Sequence, residues 1–334
     1  MTELRIGLIG AGVIAGVHIA GWQQLGAQIT VYSRSGAAHL VRDHGITEVD
    51  SLEALLAASD LVSILTPTAT HHEYAMAAIA AGKDVICEKP LAENTQRAAE
   101  IANAAHAAGV RLFPAHVVRF FPEYVAAKEQ LAGEPNPAVL HLSRSSAAPA
   151  AGSWFFDEAL GGGIVPDQMI HDIDQALWLA GDVQRVFAVQ NPPSVDGILP
   201  RPVNARIVLM HNNGVLSRLS GEWGPDGLPF STSITIEAPD GSTVYSRPDG
   251  EVANAPGDYL PAQTPADSPY TLQIAEFAAA RASGQPSRVT PYDGVMAVAL
   301  AEAAAASIKT GKPVEFSAVD VAALLEGDGA GVEL

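Results

Sequence analysis

A lysine, an aspartate and a histidine are the side chains of this sequence best suited by type to move a proton beside a reacting oxygen. Lys89 stands in Glu88-Lys89-Pro90, directly after the short apolar run Val85–Cys87. An ammonium there could hydrogen-bond an oxygen that gains negative charge. A solvated turn lysine is the plainer reading. A cis Lys89-Pro90 bond would fix the direction of the side chain. Asp167 and His171 are four residues apart, so on one helix they share a face. Histidine titrates near neutrality, and a neighbouring carboxylate raises its basicity and orients its ring. Other uses of these residues stand beside this one: Asp167 as a helix cap with His171 half-buried, or Asp167, His171 and Asp174 as metal ligands. Gly161-Gly162-Gly163, just upstream, permits an irregular backbone.

A second set of residues could hold a dinucleotide. Gly10-Ala11-Gly12-Val13-Ile14-Ala15 closes one apolar run and opens a helical stretch. In the spacing Gly-x-Gly-x-x-Ala, Gly10 permits the tight turn, Gly12 lets the backbone approach a pyrophosphate, and Ala15 allows close helix–sheet contact. The free N–H groups at the helix start, including those of Val13 and Ile14, then face the anion. The next apolar run ends in Tyr32-Ser33-Arg34-Ser35 rather than in an acidic residue. Ser33 and Arg34 suit a 2′-phosphate through charge-assisted hydrogen bonds, which favours NADP. If Arg34 stacks on adenine or faces water, NAD serves as well.

These residues need a parallel sheet to position them, and the first third of the chain has that pattern. Apolar runs at Leu4–Ile9, Gln28–Tyr32, Leu61–Leu65, Val85–Cys87 and Val110–Phe113 alternate with alanine-rich helical stretches. The expectation is a doubly wound α/β Rossmann domain over residues 1–120. Beyond it, strand patterns at Val139–Arg144, Arg185–Gln190, Ala205–Met210, Val215–Glu222, Ser233–Glu237 and Thr243–Ser246 outnumber helices, which are expected at Pro122–Leu131, Gln168–Leu179, Tyr270–Ala282 and Tyr292–Thr310. Residues 121–334 therefore read as an α+β domain with a large, open, mostly antiparallel sheet. Asn212-Asn213-Gly214 and Asp240-Gly241 mark hairpin turns. Pro248–Pro269 reads as a long surface loop, and the stretch after Glu326 as a frayed tail.

Composition narrows the classes of function. The formal charge of −18, from 19 basic and 37 acidic residues, disfavours nucleic-acid and anionic-membrane partners. The slightly positive mean hydropathy comes largely from alanine, and no apolar run is long enough to span a bilayer. A lone cysteine, Cys87, excludes an intrachain disulfide and a cysteine-based zinc cluster. A reducing cytoplasmic compartment is expected.

The motifs together resemble the glucose-fructose oxidoreductase, inositol dehydrogenase and MocA (Gfo/Idh/MocA) family over most of the chain. The resemblance rests on Gly10–Ala15, Thr66–Glu73, Glu88-Lys89-Pro90, Ala115–Pro122, Gly161–Asp174 and the stretch from Thr290 to Val314. It implies hydride exchange between a nicotinamide and a secondary alcohol or ketone of a sugar, cyclitol or related polyol, with no catalytic metal. It implies that Lys89, Asp167 and His171 are catalytic, with His171 or Lys89 moving the proton, and that Thr66, Pro67, His71 and Glu88 line the cofactor's site. His116 and Arg119 could touch nicotinamide or substrate, or form a salt bridge at the domain hinge. Trp154 could wall a sugar or anchor the core. His18 and His72 are expected at the surface or the cofactor's edge. Met169 stands where many members carry glycine and Gln168 precedes it, so both are expected to shape the substrate pocket. A homodimer or homotetramer is expected. A lyase or hydrolase using transient oxidation by tightly bound nicotinamide, and a non-catalytic dinucleotide sensor, are the alternatives.

Overall fold

The computed structural model describes residues 3–132, 137–251 and 268–325. Six parallel strands form the first sheet: β1 (Arg5–Ile9), β2 (Gln28–Tyr32), β3 (Thr47–Glu48), β4 (Leu61–Ile64), β5 (Asp84–Glu88) and β6 (Leu112–Ala115). Their order is β3-β2-β1-β4-β5-β6. The helices between them are α1 (Val13–Gln24), α2 (Ala38–His44), α3 (Leu52–Ala58), α4 (His71–Ala80) and α5 (Thr95–Ala108). The order reverses between β1 and β4, and ligands of such sheets sit beyond the carboxyl ends of the strands at that point. The helix ends follow from local chemistry. Asn94 accepts the Arg97 N–H to start α5, and Gly109 closes it in the left-handed conformation.

The second sheet has the order β12-β11-β7-β10-β9-β8-β13. Its strands are β7 (Val139–Ala147), β8 (Val183–Asn191), β9 (Val203–His211), β10 (Leu216–Gly224), β11 (Ser231–Glu237), β12 (Thr243–Glu251) and β13 (Val314–Glu315). All pairings are antiparallel except β7 with β10, so the sheet is mixed. One face packs on α6 (Pro122–Leu131), α7 (Ile170–Ala180) and α9 (Pro291–Thr310) around a core that includes Leu140, Ile173, Ile207 and Leu300. The outer face is open and exposes Phe187, Val189 and Val208.

Two helices late in the chain return to the first sheet. Ile274 and Phe277 of α8 (Pro269–Ser283) join the core that holds Ile6, Leu8 and Phe113, while Val295 and Val298 of α9 join the core on the other face with Val62 and Val85. Both faces of the Rossmann sheet are thus partly covered by segments from the C-terminal half of the sequence. A final short helix, α10 (Ala318–Ala322), lies beside α9. The strand β12 runs through Pro248, where a loop was expected. Pro269 opens α8, and residues 252–267 of that stretch, like the tail after Glu326, lie outside the described residues.

Candidate active site

The turn after β1 has the form its glycines require. Gly10 has φ +109°, and a Cβ there would lie 2.7 Å from the Leu65 carbonyl oxygen, at the end of β4. Gly12 is the N-cap of α1, no side chain caps the helix, and its first turn holds no acid. A Cβ at Gly12 would meet nothing within 4 Å, Val13 is 79% exposed, and Ile14 is half-buried. An uncapped helix start facing open space fits a pyrophosphate. At the end of β2, Ser33 is half-buried and Arg34 exposed, with no ion pair for Arg34 among the described residues. The half-buried Thr66 hydroxyl accepts from Thr70, and Pro67 is exposed beside it.

The end of β5 supplies the lysine. Lys89-Pro90 is cis. His71 holds this turn from α4: its Nδ1 lies 2.7 Å from the Pro90 carbonyl and its Nε2 2.8 Å from that of Thr66. The ring is thus held between two backbone carbonyls, and its single N–H in the neutral form donates to one of them, so His71 shapes the lining of the site. Burial pushes its pKa down, against the pull of the two carbonyls.

Lys89 Nζ donates to the backbone oxygen of Asp167 at 2.7 Å and to Asp167 Oδ1 at 2.9 Å, with both side chains about nine-tenths buried. Asp167 sits in a π-helical turn, Val165–Met169, which runs directly into α7. The expected helix from Gln168 thus begins as a wider turn. Gly161 and Gly163 take positive φ in the approach, and a Cβ on Gly162 would lie 2.6–2.7 Å from the carbonyl oxygens of Trp154, Phe155 and Asp157. The triple glycine is therefore a steric requirement. His171, on the first turn of α7, is buried, and its Nδ1 has no hydrogen-bond partner among the described residues. Burial, then the charges of Lys89, Arg144 and His116, hold its pKa well below the usual histidine value. It is a neutral imidazole beside an ammonium. His116, just past β6, is also buried; neither ring nitrogen has a hydrogen-bond partner among the described residues, and Nδ1 lies 3.7 Å from Asp174 Oδ1. Burial lowers its pKa more than the Asp174 carboxylate raises it.

Other sequence candidates are committed elsewhere. Arg119 is buried and makes hydrogen bonds through Nε and Nη2 to Asp174, through Nη2 to Asp293 and through Nη1 to the Arg288 carbonyl. This is the salt bridge of the two readings, and it commits four of the five guanidinium N–H donors. It also takes Asp174 away from any metal set; no group of three ligating side chains suited to a metal occurs among the described residues. Gln168 is fully buried, donates to the carbonyls of Arg144 and Glu222, and accepts from Ser146. Its amide pins the π-helical turn to β7 and β10 and does not reach a substrate. Met169 likewise packs on Gly221 of β10, away from the pocket it was expected to shape. Trp154 is half-buried and stacked on Phe155 with ring centroids 4.1 Å apart. His72 pairs with Glu100 at the surface. His18, expected at the surface or cofactor's edge, is fully buried against Glu88; no local signal in α1 foretold it, because the cover comes from α8.

A Rossmann sheet with an open pyrophosphate turn, facing a lysine, an aspartate and a neutral histidine, defines a nicotinamide-dependent oxidoreductase site. Sequence comparison carries this further. A family profile described as an oxidoreductase family with an NAD-binding Rossmann fold matches residues 4–116, and the Gfo/Idh/MocA C-terminal domain profile matches residues 126–238. The chain belongs to the Gfo/Idh/MocA family. It is 27% identical to an inositol 2-dehydrogenase of Mycolicibacterium gilvum, over 96% of this chain and 95% of the relative. It is 30% identical to an inositol 2-dehydrogenase of Paracoccus denitrificans, over 92% and 95%. Its fold is similar to that of GenD2 from gentamicin A biosynthesis, a structure in complex with NAD, with a TM-score of 0.81 and 23% identity over 95% of this chain and 97% of the other.

Proposed function

We propose that this protein oxidises a secondary hydroxyl of a cyclitol or sugar polyol, or reduces the matching ketone, with a nicotinamide dinucleotide as hydride partner. The observation that carries the reading is the contact of Lys89 with Asp167 beside neutral His171, residues from two distant parts of the chain. The nicotinamide supplies hydride exchange at carbon. The protein must move the hydroxyl proton and steady the oxygen. His171, held neutral, accepts that proton in the oxidative direction. Lys89 donates a hydrogen bond to the oxygen as it gains negative charge. Asp167 orients Lys89 through both its carboxylate and its backbone oxygen. The exchanged assignment, with Lys89 moving the proton, uses the same geometry. His116, with its Nδ1 3.7 Å from Asp174 Oδ1 and its Nε2 without a hydrogen-bond partner among the described residues, completes the substrate side, and the indole of Trp154 offers an apolar wall.

Gly10, Gly12, Val13 and Ile14 bind the pyrophosphate in this reading, and Thr66, Pro67 and the Glu88–Lys89 backbone line the nicotinamide end. The guanidinium of Arg34 next to Ser33, without an ion pair among the described residues, favours NADP over NAD. The open face of the second sheet, with Phe187, Val189 and Val208 exposed, suits pairing with a second copy into a dimer or tetramer. A cytoplasmic setting agrees with the single buried Cys87.

Single-turnover hydride transfer in Lys89→Met and His171→Ala, with myo-inositol and a panel of sugars as substrates, tests the assignment. A large fall in both is expected. Wild-type rates in both variants would eliminate it. Net consumption of added NADP distinguishes a dehydrogenase from a transient-redox lyase or a sensor.

A further inference from the structure

One buried histidine–carboxylate contact beside the site has no part in the chemistry above. His18, on the second turn of α1, is fully buried. Its Nε2 lies 3.0 Å from Glu88 Oε1, and the second carboxylate oxygen, Oε2, accepts the backbone N–H of Lys89 at 3.2 Å. Glu88 is the last residue of β5, and Lys89 begins the cis turn. The carboxylate therefore bridges α1 and the peptide that carries the lysine. Burial alone would drive Glu88 toward its neutral form. The His18 hydrogen bond, then the charges of His18 and Lys89, hold it below the usual carboxylate range. An ionised carboxylate is the stronger acceptor for the Lys89 N–H. At the far side of the turn His71 holds the Pro90 carbonyl. The backbone of Lys89 is thus gripped before and after its side chain, on one side by a helix and on the other by a histidine.

We propose that His18 is a positioning residue for Lys89, acting through Glu88 to keep the Lys89-Pro90 turn in register with Asp167. The proposal rests on the catalytic reading of Lys89. Without His18 the buried carboxylate loses the ring nitrogen that holds Oε1 at 3.0 Å, and a carboxylate free to turn loosens its hold on the Lys89 N–H. A misplacement of about 1 Å at a reacting group can slow a reaction by roughly 100-fold.

A double-mutant cycle on the full chain separates this role from mere packing. Single-turnover hydride transfer is measured with NADP and myo-inositol, or with the panel member that the wild-type protein oxidises fastest. The variants are His18→Leu, Lys89→Met, the double variant, and His18→Gln, whose amide can still donate to Glu88. We expect His18→Leu to slow transfer by roughly 10- to 100-fold and to slow the Lys89→Met background by less than about twofold. We expect His18→Gln to recover most of the rate, with NADPH affinity by fluorescence changing far less than the rate in His18→Leu. Equal slowing in both backgrounds, no slowing, or a glutamine variant as slow as leucine overturns the positioning role while leaving Lys89 catalytic. A wild-type rate in Lys89→Met itself instead overturns the catalytic reading. Where His18→Leu fails to melt cooperatively, Glu88→Gln enters the cycle with the same expectations.

Discussion

Gly221 of β10 offers a way to disturb the catalytic turn without touching a catalytic group. It faces Met169, which is fully buried in the π-helical turn between Asp167 and His171. A methyl group at 221 would lie 2.5 Å from Met169 Cγ and 2.6 Å from its Sδ. Carbon atoms settle at about 3.5–4.0 Å, so Met169 must retreat by about 1 Å. Gln168 ties the preceding residue to the carbonyls of Arg144 and Glu222, so the turn cannot simply swing off the sheet. The displacement passes instead to the backbone that carries Asp167 and His171. Overpacking of this kind costs about 1–3 kcal/mol of stability, and a shift of about 1 Å at catalytic groups can cost roughly 100-fold in rate. Gly221→Ala should therefore lower the hydride-transfer rate by roughly 10- to 100-fold. NADPH affinity should hold, because the pyrophosphate turn lies on α1. Adding Met169→Ala removes both clashing atoms and should restore much of the rate while lowering the melting temperature through the cavity it leaves. Stopped-flow absorbance at the nicotinamide band, beside thermal melts, reads both effects. A wild-type rate in Gly221→Ala, or a double variant no faster than the single, would refute the reasoning.

Three further outcomes follow from particular contacts. Because burial and neighbouring cations depress His171 below its ordinary 6.5, the base stays neutral as pH falls. The acid limb of kcat/KM for alcohol oxidation should lie below pH 6.5, and a limb at or above that value would contradict His171 as the base. Arg119→Met leaves Asp174 and Asp293 without their cation, and Asp174 is fully buried. Chemical denaturation should show a loss of about 3–5 kcal/mol, against little change for Arg5→Met at the exposed Arg5–Asp60 pair. Arg34→Ala should reduce the ratio of NADP to NAD affinity by roughly tenfold or more, the worth of one to two charge-assisted bonds, as titration calorimetry with each dinucleotide would show; an unchanged ratio means that Arg34 does not read the 2′-phosphate.

What the sequence made legible was local. The Gly10–Ala15 turn could be recognised because each residue answers a constraint set within a few positions, and the structure gives Gly10 the positive φ and Gly12 the open approach that such a turn needs. The strand–helix alternation of the first third holds for the same reason. The two-residue strands β3 and β13 were not foreseen, since a pair of residues carries no period. Asp167 and His171 were placed together by assuming 3.6 residues per turn, whereas the backbone takes a wider turn entered through positive-φ glycines. That wider turn is what sends Met169 and Gln168 to the sheet. The burial of His18 and the partners of Arg119 depend on α8, α7 and α9, which come from far along the chain. No window of sequence contains both halves of such a contact.

The placement of charge around α7 explains how a helix rich in small and apolar residues can present His171 in one orientation. Apolar packing by Ile173 and Ala176 against the sheet core resists separation but is tolerant of rotation about the helix axis. Two ion pairs remove that freedom. Asp172 is drawn toward Arg144 on β7, at 3.0 Å, and Asp174 toward Arg119 beyond β6, at 2.7 Å. Residues two apart on a helix point about 200° from each other, so the pairs pull on opposite sides of the axis. A rotation that shortened one would stretch the other. Buried pairs of this kind are weak contributors to net stability compared with a well-packed apolar replacement, but they are directional. His171 precedes Asp172 directly, so its azimuth is set by that opposition. The Lys89–Asp167 contact then meets an imidazole whose direction has already been decided by the buried pairs on either side of its helix.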